Sequence, residues 1–286
     1  MKKFRMYFSA ALSAALLLLA GAGCSDDDNG TNNNPSGSSR INLELKAMSQ
    51  FTYDRADLDS TNAEVAGSTR DYVVDIRGTG GLILGAYRDW FYRIGTDQKS
   101  SMKDTMYIRA NTGSAGGNSF TKEVQAYGFI ESVMKKFVEA LVSRFPIAPP
   151  TIAGPKWDII AKFHDDNGGA LAVGTEWFIT SENGEELNFN FSGYPIKVTL
   201  LMKGKFAAKE EVITVGAKQI KAWKTTITIT ATLPIGAPAI INVSSWFSDD
   251  PDGQIQVVQE SGIVNIPIAG SIILPGETQK LKSYRE

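Results

Sequence analysis

The chain has 286 residues, with 29 Lys and Arg against 31 Asp and Glu and a formal charge of −2. No basic surplus is available to neutralise phosphates, which argues against nucleic acid as a partner. Apolar residues make up 43% and aromatic residues 10%, too much for a disordered chain. Cys24 is the only cysteine, so no intramolecular disulfide can form and the fold must be held by its core.

The first forty residues carry the clearest signal. Lys2, Lys3 and Arg5 precede an apolar run from Ala10 to Ala22 that is short and rich in small residues, and the run ends at Gly23-Cys24. A transmembrane helix needs about 20 predominantly apolar residues, so this pattern reads as a cleaved export signal. Leu19-Ala20-Gly21-Ala22-Gly23-Cys24 resembles the lipobox of bacterial lipoproteins, with Gly21 where that family usually has Leu. The resemblance implies that residues 1–23 are removed and that Cys24 is acylated. It also implies a cell-envelope protein on the outer membrane, facing the periplasm or the cell surface, and Asp26-Asp27-Asp28 resembles the export signal of surface lipoproteins. Loss of Lys2, Lys3 and Arg5 takes the formal charge from −2 to −5.

Residues 24–40 form the lipidated cysteine and its tether. From Ser25 to Arg40 the chain has no large apolar residue, so it has nothing to bury. Such a stretch spans on the order of 20–25 Å as a coil and about 55 Å when straight. The body then runs from 41 to 286, with 41–150 and 151–286 as two halves of one sheet.

Two-residue alternation in Ile41–Leu45, Tyr72–Ile76 and Trp90–Ile94 predicts strands, punctuated by Gly78–Gly81 and Gly113–Gly117. Between Gly128 and Arg144 the period changes. Phe129, Val133, Phe137 and Leu141 recur every fourth residue with Glu131, Lys135, Lys136 and Glu139 opposite, which predicts one prominent helix ended by Pro146, Pro149 and Pro150. Trp157–Phe163 is again a strand, followed by a turn over Asp165–Gly169. Further strands are expected at Lys197–Leu201, Lys224–Leu233, Ile240–Phe247, Ile255–Gln259 and Ile263–Ile268. In the second of these, Trp223, Thr225, Ile227 and Ile229 share the dry face, and Lys224, Thr226, Thr228 and Thr230 the wet one.

A second resemblance covers about the last 75 residues. It is carried by Val212–Gly216, Ile220–Lys224, Trp246-Phe247-Ser248 with Asp252–Val258, and Leu281-Lys282-Ser283-Tyr284. These resemble a group of uncharacterised exported β-sheet proteins, similar in architecture to periplasmic carriers of the lipoprotein-localisation type. Where such families often have Phe after the glycine of the first strand, this chain has Ala217-Lys218-Gln219-Ile220. The resemblance implies a half-barrel that wraps a helix and can hold an acyl chain; it brings no catalytic residue with it.

Few residues suggest chemistry. His164, the only histidine, has neither a G-x-S-x-G elbow nor a second histidine beside it and reads as part of a surface turn. Asp165-Asp166-Asn167 and Asp249-Asp250-Pro251-Asp252-Gly253 lack the spacing of a calcium loop, and Asp252-Gly253 reads as a hairpin turn. Glu176, Glu182, Glu185 and Glu186 could serve a glycosidase only as an arranged pair, and Gly78-Thr79-Gly80-Gly81 lacks the lysine and helix of a phosphate loop. Trp-Phe occurs at Trp90-Phe91, Trp177-Phe178 and Trp246-Phe247. Neighbours on a strand face opposite ways, so each pair gives one ring to the core and one to the second face.

The expected protein is therefore mainly β, a curved antiparallel sheet or half-barrel packed on one helix, with a β-sandwich as the alternative. No enzyme activity, cofactor or metal is expected. It is membrane-bound through its N-terminal lipid and binds a lipid or other hydrophobic molecule on its concave side, with Trp177, Phe178, Trp223 and Trp246 as contacts. The alternative is a structural or adhesive envelope protein with a protein or glycan partner.

Overall fold

The computed structural model describes residues 40–79, 90–101, 103–130, 133, 147–148, 157–191, 194–234, 237–266, 270–274 and 276–285. The export signal, Cys24 and the tether up to residue 39 lie outside the described residues. So does most of the expected helix at Gly128–Arg144; Phe129, Ile130 and Val133 of its apolar side are buried in the core.

The first half contributes β1 (Gln50–Leu58), β2 (Arg70–Thr79), β3 (Phe91–Asp97), β4 (Lys103–Ala115), β5 (Asn118–Tyr127) and β6 (Ile147–Ala148). The second contributes β7 (Trp157–Lys162), β8 (Glu176–Phe178), β9 (Glu185–Phe191), β10 (Tyr194–Val215), β11 (Lys218–Thr232), β12 (Ala239–Asp249), β13 (Asp252–Gln259), β14 (Gly262–Ile266), β15 (Gly270–Leu274) and β16 (Gly276–Arg285). Thirteen strands form one antiparallel sheet in the order β6-β9-β10-β11-β12-β13-β16-β1-β2-β3-β4-β5-β7, with β8 alongside β10. β14 and β15 form a separate hairpin. The sheet is not closed: β5 and β9 are the inner neighbours of its terminal strands β7 and β6.

Local sequence explains the elements and long-range pairing their order. Gly116 and Gly117 both have positive φ, +64° and +82°, as the two-residue turn closing Ala115 on Asn118 requires. β11 alternates as expected, with Trp223, Thr225, Ile227 and Ile229 buried. The C-terminal strand β16 lies between β13 and β1, so it stitches the late strands to the early ones, pairing with β1 from Gln50↔Arg285 to Leu58↔Gly276.

One predicted strand is corrected. Ile41–Leu45 is extended, and Ile41 and Leu43 are buried, but it joins no ladder. Its amides find side chains instead: Leu43 N–H donates to Thr121 Oγ1 at 2.7 Å, while those of Asn42 and Glu44 reach Asp249 and Asp252 at 3.4 Å. Alternation thus reports a half-buried extended segment, which need not be hydrogen-bonded in a sheet.

The sheet curves until β7 lies against β10 and β11. Phe163, just after β7, meets Trp223 and Phe247 edge-on, with centroids 6.2 and 5.3 Å apart, and Phe206 tilts against Trp223 at 5.6 Å. Each such buried ring contributes roughly 1.5–3 kcal/mol by leaving water. These side chains belong to one continuous apolar core.

Candidate functional site

The four aromatic residues expected to contact a ligand do not share a surface. Trp223 is in the core, its ring tilted against that of His164 with centroids 4.9 Å apart. Trp177 projects from β8 over Gly204 and its Nε1–H donates to Ile159 O of β7 at 2.9 Å, wedging the gap between β10 and β7. Phe178 and Trp246 lie on the outer face, Phe178 exposed and Trp246 buried. Phe178 is exposed under the Lys203 ammonium, in the row of Lys203, Thr228 and Asn242, whereas Trp246 lies four residues further along β12. The Trp246 ring lies under the Lys224 ammonium, 4.5 Å from its centroid, and its Nε1–H donates to Glu211.

His164 is not on a surface turn; it is buried between Phe120 and Trp223. Nδ1 lies 2.7 Å from Thr121 O, and because a carbonyl only accepts, Nδ1 carries the proton and Nε2 is the acceptor in the neutral ring. Burial holds its pKa below the ordinary value, opposed by the bond to Thr121. The two acidic loops use their oxygens internally. Asp165 Oδ1 accepts from the amides of Asn167 and Gly169, and Asp249 and Asp252 accept from the N-terminal segment. Burial, with the nearby charges of Asp249 and Glu44, pushes Asp252 up to about 7. Among the described residues, no group of three or more His, Cys, Asp or Glu is placed to hold a metal.

The inner face instead holds a charged network that the sequence reading did not single out. Arg55 Nε donates to Glu277 Oε2 at 2.9 Å, Nη2 donates to the same oxygen, and Nη1 reaches Asp97 Oδ2 at 3.5 Å. Arg70 Nε donates to Asp97 Oδ2 at 2.7 Å. Arg93 donates to Asp104 Oδ2 and to the Tyr72 hydroxyl, both at 3.0 Å, and that hydroxyl donates to Asp104 Oδ1 at 2.7 Å. Gly95 makes room for the last contact, since a Cβ there would lie 1.9 Å from the Tyr72 oxygen. Burial works against charge on Arg93, yet Tyr72 and Asp104 hold it above its usual value; burial raises Tyr72. Three guanidiniums thus meet four carboxylates, since Arg70 Nη1 also lies 2.9 Å from Asp57 Oδ1, and each of these carboxylates is engaged by a guanidinium. The signal was parity: Arg55 continues the inward series Phe51, Tyr53, and Arg93 sits opposite Ile76.

The molecule also has two chemically different poles. At one, Arg40 donates to Ala115 O at 2.9 Å and Gly168 O at 3.0 Å, and Asn42 reaches Asp249, so the first described residues lie here. The opposite pole carries hairpin β14–β15, whose base is fixed by Ser261 N–H donating to Asn62 Oδ1 at 2.7 Å. β12 runs from one to the other, from Ile240 to Asp249, about 30 Å at strand rise. From Ser261 to Gly276 there is not one charged residue. Ile263 and Ile273 face each other across the hairpin at 54% and 51% exposure, and Ile240, at the hairpin base, is 55% exposed.

No family model matches the chain, and no curated protein matches it. Among solved structures it is similar to the crystal structure of a candidate lipoprotein from Parabacteroides distasonis. The match covers 87% of this chain and all of that one, at 10% identity and a TM-score of 0.42.

Proposed function

We propose that this chain is a lipid-anchored envelope protein that binds a macromolecular partner at the pole remote from its anchor. The observation that carries the reading is the uncharged hairpin β14–β15, which exposes Ile263 and Ile273 about 30 Å from the first described residues. An exposed apolar patch without charge is costly in solution and marks an interaction surface. Its distance from the anchored end favours a partner over the protein's own membrane. Carriage of an acyl chain is the second reading. It is disfavoured by Phe163, Phe206, Trp223 and Phe247 packing against one another where the cargo would lie.

The test is photo-crosslinking in intact cells, with the crosslinker at Ile263 or, as a control, at Glu182 on a different loop. The reading expects a discrete protein or glycoconjugate adduct from Ile263 alone, lost in Ile273→Asp. Equal labelling at both sites would overturn it, as would acyl lipid retained by the mature chain in native mass spectrometry.

A further inference from the structure

We propose that the inner face spanning β11, β12, β13 and β16 is a buried polar site that holds hydroxyl-bearing guests, ordered water or a small polyol, through His164, Thr225, Ser245, Gln254 and Gln279. This rests on different residues from the hairpin and stands without it.

Register places these side chains together. Thr225 pairs with Ser245, Ser245 with Val257, and Val257 with Gln279, so the three polar residues lie in one inward row. The next row holds Trp223, Phe247 and Gln254, with His164 tilted against the Trp223 ring. All five are buried, each at 4% exposure or less. Yet His164 Nε2, Thr225 Oγ1, Ser245 Oγ, Gln279 Oε1 and both terminal atoms of Gln254 have no partner in the protein. Six such atoms in two adjacent rows are far from ordinary, because a buried polar group left unsatisfied costs about 1–3 kcal/mol.

The donor and acceptor inventory selects the guest. His164 Nε2 and Gln279 Oε1 only accept, Gln254 offers one acceptor and one donor, and the two hydroxyls do either. A guest must therefore donate more than it accepts at some positions and do both at others, which hydroxyl groups do. An anion finds no unmatched cation, since Arg55 in the same row is already held by Glu277 and Asp97. An apolar guest would leave all six atoms unsatisfied. Buried water normally makes two to four such bonds, so a few molecules suffice.

The sign of a mutation separates a filled site from a dry one. In a filled site, Thr225→Val in the mature chain removes a partner of the guest and raises the unfolding equilibrium constant about fivefold. In a dry site the same near-isosteric change removes an unsatisfied hydroxyl and lowers that constant. A crystal structure of the wild-type mature chain at better than 1.5 Å is the second measurement. Density bridging Ser245, Gln254 and Gln279 supports the site, with a surplus mass in native mass spectrometry identifying a polyol and its absence identifying water. Stabilisation by both Thr225→Val and Ser245→Ala, or a site without density, overturns the proposal.

Discussion

Arg55→Met is the most direct probe of the buried charged network. The guanidinium is 2% exposed and its partner Glu277 1% exposed, so truncating one side strands a carboxylate away from water. Breaking a buried pair in this way costs about 3–5 kcal/mol. For a body of this size that corresponds to a Tm lower by roughly 6–20 °C. Asp97 is spared, because it keeps Arg70 and the amides of Lys99 and Ser100. The compensating variant is Arg55→Met with Glu277→Gln. It removes both charges but leaves Gln279 its acceptor at position 277, and it should recover most of the lost Tm. Thermal unfolding by circular dichroism, with urea denaturation to compare slopes, measures both. Lys197→Met is the control, since Lys197 and Glu186 form an ion pair in which both side chains are largely exposed and its loss should cost about 0–1 kcal/mol. If the single and double variants melt together, or if Arg55→Met melts like Lys197→Met, the pair is not coupled and the reasoning is wrong.

Two further perturbations test other parts of the structure. Gly204→Ala places a Cβ 2.0 Å from Trp177 Cε2, so the indole must move and release Ile159 O; a red-shifted tryptophan emission and a loss of about 1–3 kcal/mol are expected, and an unchanged spectrum would place Trp177 elsewhere. Asp252 binds a proton in the folded state up to about pH 7, against 3.8 when unfolded. Between those values the folded state holds the extra proton, so stability falls as pH rises through the window. Asp252→Asn should flatten that decline in pH-dependent denaturation, and a profile identical to wild type would remove Asp252 as its cause.

How much was legible depends on whether the cause is local. Alternation in Tyr72–Ile76 and Trp223–Ile229 reports which face is dry, because side chains on a strand alternate with period two. The same rule made Ile41–Leu45 look like a strand, since it detects extension and burial and not hydrogen bonding. His164 was misplaced for a related reason. Its neighbours Asp165–Gly169 do form a turn, but the ring is buried by Phe120 and Trp223, from distant strands.

The sequence by itself determined most of the strands and their dry faces, which follow from residues a few positions apart. Only the tertiary structure decided which strands are neighbours, and with that which polar side chains share the interior. Arg55 meets Glu277 from 222 residues away because β16 inserts beside β1. That choice follows from the burial of whole faces across the sheet, and no short window of sequence contains it. The same insertion lines Gln279 up with Ser245 and Thr225, and the fold leaves the uncharged hairpin at the other end of β12 from Asp249 and Asn42.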